Sequence, residues 1–188
     1  MKPAVFLDRD GTVCELVSYL SKPEQVKLVD GAGPAIRRLN DAGYVTVIVT
    51  NQSGIGRGYY SEDDFQETQR ELARQLAEHR AVIDGVYFCA HVSDNPDKTT
   101  VDFFDRKPGP GMLMRAAGEH EIDRTRAWMV GDTISDMHAG RNAACKGCIL
   151  VRTGYGAEAD AEDSAIDYVV GRLDQAVELI LKLDGKDA

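Results

Sequence analysis

The sequence predicts an α/β fold in three layers, a mostly parallel sheet with helices on both faces. Three observations predict it. Short apolar, β-branched runs alternate strictly with longer amphipathic stretches. The runs are apolar almost throughout rather than at every second position, as expected of strands covered on both sides. And 188 residues, against roughly 150 per domain, leave room for one core, so a single domain over 1–188 is expected.

The first strand is expected at 4–7, where Ala4, Val5, Phe6 and Leu7 run straight into Asp8. Pro34 suits the first turn of a helix over 34–42, and Gly43 is its stop signal. Val45 to Val49 reads as the second strand. Ser61, with Asp63 and Asp64 behind it, is an N-cap with acids in the first turn of a helix over 62–80. Further strands are expected at 86–89, 128–130, 149–151 and 168–170, and helices at 111–120, 135–144 and 173–182. The stretches 13–33 and 91–111 carry no periodicity. Loops that long in a compact chain are usually functional, and neither has the length of a separate cap domain.

Composition narrows the function. Apolar residues make up 43% and charged residues 28%, a globular balance. A net charge of −9 opposes phosphate backbones and anionic lipid, so neither a nucleic-acid partner nor a membrane is expected. Apolar runs of about five to seven residues fall short of a membrane span. The opening Met1-Lys2-Pro3-Ala4-Val5-Phe6-Leu7-Asp8 turns acidic too soon for a secretory signal. Cys14, Cys89, Cys145 and Cys148 make no disulfide framework in a chain of this length, which points to a reducing cytoplasm. A cytoplasmic monomer is expected.

In an open α/β sheet, ligands bind beyond the carboxyl ends of the strands. The residues just past each run are therefore informative: Asp8-Arg9-Asp10-Gly11-Thr12, then Thr50-Asn51-Gln52-Ser53-Gly54, then Arg106-Lys107-Pro108-Gly109-Pro110, then Gly131-Asp132 with Asp136 four residues on. Aspartates crowded at one edge repel unless a cation lies among them, and Mg²⁺ with oxygen ligands suits Asp8, Asp10 and Asp132. Mg²⁺ and a fixed lysine together would neutralise a phosphate enough for a carboxylate to attack it. Asp8 is placed to form an aspartyl-phosphate. Asp10 would protonate the leaving alkoxide and then activate water. Thr50 and nearby amides would hold phosphoryl oxygens while Lys107, restricted by Pro108, offsets charge.

The four segments, in this order and spacing, resemble the four motifs of the haloacid-dehalogenase superfamily, over nearly the whole chain. The resemblance implies a Rossmann-like, capless fold, and Asp10 marks the phosphatases within it. The Asp8-to-Thr12 segment, the run from Thr50 to Gly58, Arg106-Lys107-Pro108 and Val151-Arg152-Thr153-Gly154 are similar to the D-glycero-D-manno-heptose 1,7-bisphosphate 7-phosphatases. That implies a phosphosugar substrate, held by Tyr19, Asn51, Gln52, Ser53, Arg57 and Arg106. Thr133 stands where many relatives carry a basic residue that contacts substrate. Histidinol-phosphate phosphatases are cousins, but they tend to carry an acid where this chain has Ser53. DNA 3′-phosphatases share the pattern, though no basic stripe is present here. A non-catalytic phosphosugar-binding module is the rival from another class, and intact Asp8, Asp10, Lys107 and Asp132 oppose it.

The subfamily typically binds zinc through Cys-x-His and a later Cys-x-Cys. Here Cys89-Ala90-His91 is kept, but Phe103-Phe104-Asp105 replaces the second pair. Two soft ligands do not complete a tetrahedral site, so zinc is expected to be absent, with Phe103 and Phe104 packing the loop. Asp94, Asp97, Asp102 or Asp105 would be needed to complete a weaker, oxygen-rich site. Asp136 divides between support of the metal site and a first-turn helix acid. Cys145 and Cys148 read as buried structural thiols, His79, His120 and His138 as surface residues, and 158–163 as a solvated loop.

Overall fold

The computed structural model describes residues 1–186; residues 187–188 of the expected single domain lie outside the described residues. Its strands are β1 (Lys2–Leu7), β2 (Val45–Asn51), β3 (Gly85–Cys89), β4 (Ile122–Gly131), β5 (Gly147–Val151) and β6 (Tyr168–Val170). Its helices are α1 (Ala32–Asp41), α2 (Ser53–Gly56), α3 (Glu62–Glu78), α4 (Gly111–Glu119), α5 (Ile134–Asn142) and α6 (Leu173–Leu183), with 3₁₀ turns at Pro23–Gln25 and Gly154–Ala157. All strand pairs are parallel, in the order β3-β2-β1-β4-β5-β6.

The two faces of the sheet are read off β1. Val5 and Leu7 join Ile48, Trp128, Val130 and Ile149 against α1, α3 and α6. Ala4 and Phe6 join Val47, Val49, Met129 and Leu150 against α4 and α5. Both sets are buried, which is why no strand alternates polar with apolar. The order reverses between β1 and β4, opening a crevice at their carboxyl ends. Leu7 lies opposite Ile48 on one side and Val130 on the other, so the next residue, Asp8, falls level with the tips of both neighbours.

Several boundaries differ from expectation. α1 starts two residues before Pro34, because Gly31 at φ 81° turns the chain into it, and a first-turn proline sacrifices no helical hydrogen bond. β4 starts at Ile122, which pairs with Lys2 ahead of a register shift; its polar residues 123–126 hide the strand from an apolar reading. α2 was hidden by two glycines in four residues. Ser61 caps α3 as expected, accepting from Asp64 N at 3.1 Å. Cys148 lies within β5, near its amino end, rather than ahead of it, whereas Cys89 closes β3 at the carboxyl end. His138 is half-buried, 3.0 Å from Asp163, rather than free on the surface.

Candidate active site

Asp8 extends β1 by one residue, its N–H donating to Val130 at 2.9 Å. Lys107 reaches it from the β3–α4 connection. Its Nζ donates to Asp8 Oδ1 at 2.6 Å and to the Val49 carbonyl at 2.8 Å, and lies 2.5 Å from Asp136 Oδ1. Asn51 fixes the backbone that carries this lysine, accepting from Lys107 N and donating to Lys107 O, both at 3.0 Å. The Asp136 readings merge: Oδ2 accepts from Thr133 N at 3.0 Å as a helix-start acid, while Oδ1 faces Lys107.

Among the described residues, Asp8, Asp132 and Asp136 bring ligand oxygens within 4.8 Å of one another. Burial pushes the Asp8 carboxyl up to about 7, Lys107 opposing and Asp136 adding to the rise. Burial likewise pushes Asp132 up to about 8, reinforced by Asp8 and Asp136. For Lys107 burial acts to lower the pKa, but the facing Asp136 and Asp8 carboxylates reverse that and hold the ammonium above its ordinary range. Asp132 Oδ2 accepts from Tyr155 N at 2.8 Å, whereas Oδ1 is buried with no partner. A buried, unpartnered carboxylate oxygen among other acids is what a hard divalent cation would satisfy, so the residues fit Mg²⁺. Gly11 (φ 85°) and Gly154 (φ 54°) make room for this carboxylate, since a Cβ on either would lie 2.1 Å from Asp132 Oδ2.

The Asp10 carboxylate stands outside that trio. Arg9, 1% exposed, grips it in a fork, Nε to Oδ2 at 3.0 Å and Nη2 to Oδ1 at 2.9 Å, and Gln52 Nε2 donates to Oδ2 at 2.9 Å. It still lines the cavity of about 720 Å³ above the sheet edge, with Asp8, Thr50, Asn51, Gln52, Ser53, Tyr19, Arg106, Lys107, Asp132 and Thr133. Tyr60, Lys98 and Glu158, which the sequence reading missed, also line it; a lone tyrosine or lysine in a loop gives no signal. Arg57 is outside this lining, because α2 carries it toward the 90–110 loop, where it pairs with Asp94 at 3.5 Å.

Ring stacking and hydrogen bonds hold the 90–110 loop. The His91 ring stacks on Phe103, centroids 4.2 Å apart and planes within 8°, and Arg106 donates to the His91 carbonyl at 2.7 Å. Phe104 stays 58% exposed and does not share the packing role expected of it. Asp94 faces Arg57, Asp97 accepts from Thr99 and Thr100, Asp102 from Ser93, and Asp105 pairs with Arg115. Each acid has its own partner, and among the described residues the four form no ligand group. Cys145 and Cys148 are buried free thiols.

A buried carboxylate at the tip of β1, a second acid two residues on, a tethered lysine and an acid from the far side of the switch point define a haloacid-dehalogenase-like hydrolase. A HAD-hydrolase-like family model matches residues 104–176. The chain is 40% identical over 180 residues to the D-glycero-beta-D-manno-heptose-1,7-bisphosphate 7-phosphatase of Pasteurella multocida, covering 96% of this chain and 97% of that one. It is 43% identical over 179 residues to the corresponding protein of Haemophilus influenzae, covering 95% of each. Among solved structures, the D,D-heptose 1,7-bisphosphate phosphatase from B. bronchiseptica, complexed with magnesium and phosphate, matches with a TM-score of 0.86 at 29% identity, over 97% of this chain and 99% of that one. The chain belongs to the heptose-bisphosphate phosphatase family of these hydrolases.

Proposed function

We propose that the protein is a Mg²⁺-dependent phosphatase that removes the 7-phosphate of D-glycero-D-manno-heptose 1,7-bisphosphate. The observation that carries it is Asp8, held by Lys107 beside the unpartnered Asp132 oxygen, at the floor of a cavity large enough for a phosphosugar. Asp8, Asp132 and Asp136 would hold Mg²⁺, which when bound supplies positive charge against the phosphate dianion. Asp8 attacks phosphorus through a carboxylate oxygen as the bond to the sugar oxygen breaks, and Asp10 gives that oxygen its proton. Asp10 then takes a proton from water as the water oxygen attacks phosphorus, releasing phosphate and restoring Asp8. Lys107 neutralises the attacking carboxylate's surroundings, and the Thr50 hydroxyl donates to a phosphoryl oxygen.

Tyr19, Ser53, Arg106 and Thr133 at the cavity wall are placed to hold the rest of the substrate. The chain works as a single capless unit, a cytoplasmic monomer whose partner is the phosphosugar. Its charge of −9 favours this over a nucleic acid or anionic lipid, and no helix among the described residues is long and apolar enough to cross a membrane. No zinc is needed, since Phe103 and Asp105 stand where the family pattern has its second cysteine pair. The test is turnover with Mg²⁺ on heptose bisphosphate, histidinol phosphate and other phosphosugars, alongside metal analysis. Heptose bisphosphate should be the best substrate; preference for histidinol phosphate would overturn the reading, and stoichiometric zinc would overturn its metal-loop part.

A further inference from the structure

We infer that Tyr60, acting through Gln52, is a positioning residue that sets the Asp10 carboxylate and the Thr50 hydroxyl for their parts in the reaction. The inference rests on the phosphatase reading above. A carboxamide offers two N–H hydrogens and an oxygen with two lone pairs. Gln52, 3% exposed, has all four engaged. Its Nε2 donates to Asp10 Oδ2 at 2.9 Å and to Thr50 Oγ1 at 2.8 Å; its Oε1 accepts from Tyr60 OH at 2.5 Å and Arg9 Nη2 at 3.3 Å. No capacity is left for substrate, so Gln52 is part of the frame rather than a substrate contact.

The direction of these bonds has two consequences. Because Thr50 Oγ1 accepts from Gln52, its own hydrogen has no acceptor among the described residues and is free for a phosphoryl oxygen. Of the four acceptor sites of the Asp10 carboxylate, Arg9 Nε and Gln52 occupy both on Oδ2, and Arg9 Nη2 occupies one on Oδ1. The site that remains is on Oδ1, where only the weakly donating Cys14 thiol stands, at 3.9 Å. Tyr60 keeps this frame in register: its hydroxyl anchors Oε1, and its ring is pressed on Gly54, where a Cβ would lie 2.2 Å from Tyr60 Cε1. The next residue, Ser61, caps α3 and gives the tyrosine a rigid mount.

Tyr60→Phe removes the hydroxyl and keeps the ring. With Mg²⁺ present, kcat on an alkyl phosphate, whose alkoxide leaves only with a proton, should fall about tenfold while KM moves less than about twofold. The first phosphoryl transfer from p-nitrophenyl phosphate, whose phenolate needs no proton, should fall much less, so the alkyl-to-aryl ratio drops. Gln52→Glu keeps the acceptor for Tyr60 but loses both donors, and should lower that ratio further. Equal losses on both esters, a loss confined to KM, or an unchanged ratio in either variant would overturn the assignment. Wild-type protein that hydrolyses neither ester would instead sink the phosphatase reading itself.

Discussion

Two carboxylate sites sit at opposite ends of the sheet, one half-buried and one buried, and they are built to different ends. At the amino end, Asp184 accepts from Tyr44 OH at 2.5 Å, Trp128 Nε1 at 3.2 Å and Lys146 Nζ at 2.5 Å. Burial acts to raise its pKa, but these three donors outweigh it and hold the carboxyl below its ordinary range. At the carboxyl end, Asp8, Asp132 and Asp136 share a single ammonium group, and burial lifts Asp8 to about 7 and Asp132 to about 8. The first site is complete without a ligand and ties α6 to the sheet. The second is left short of positive charge, which is the condition a cation and a phosphate ester would relieve.

That contrast can be broken most severely at Asp8. Asp8→Asn should keep the fold and reduce turnover on the order of 10⁴-fold or more, the scale of a lost nucleophile; steady-state assays with circular dichroism check it, and retained turnover would remove Asp8 from its role. Asp132→Asn should reduce turnover on the order of 10³-fold, the several kcal/mol a bound metal contributes. The same change should raise the stability of the metal-free protein by about 1–3 kcal/mol at pH 8, because a buried charge with one partnerless oxygen is gone. Chemical denaturation measures that gain, and a loss of stability would show the carboxylate to be structural.

The pH dependence sharpens the comparison. Both carboxyls are raised in the fold above the ordinary value of 3.8. Their stabilising contribution is complete below that value and is lost as pH rises through about 7 to 8. Metal-free protein should therefore lose stability from about pH 4 to pH 8, and Mg²⁺ should bind more tightly, with a larger thermal shift, across the same window. Calorimetric titration at pH 5, 6.5 and 8 tests the order; affinity independent of pH would contradict it. The smallest effect on catalysis belongs to Asp184→Asn. It should cost about 1.5–3 kcal/mol of stability through lost charge-assisted bonds and leave kcat/KM within about twofold.

The sheet and the four polar segments at its strand tips were legible because parallel strands are continuously apolar and each ends abruptly in polar residues, as Leu7 gives way to Asp8 and Val130 to Gly131-Asp132. What escaped was set by tertiary geometry. Ile122 is a strand residue only because Lys2 lies beside it. Asp10 turns from the other acids because Arg9, its neighbour in sequence, folds back under it over the Phe65 ring, 5.0 Å away. Asn51 and Gln52 look like ligand-binding amides in a Gly-containing turn. In the structure each Asn51 amide atom makes one bond to Lys107, and Gln52 bonds Asp10, Thr50, Arg9 and Tyr60. No spacing rule distinguishes an amide that meets substrate from one that holds its neighbours.

The two glycines that pinch the far acid carry no functional group, yet they set the geometry of the charge cluster as firmly as any side chain in it. Both have a backbone conformation that strains L side chains, and neither leaves space for even a methyl group. In a saturation mutagenesis screen scored on phosphatase activity, positions 11 and 154 would rank with Asp8, so intolerance to change marks the shape of this pocket as much as its chemistry.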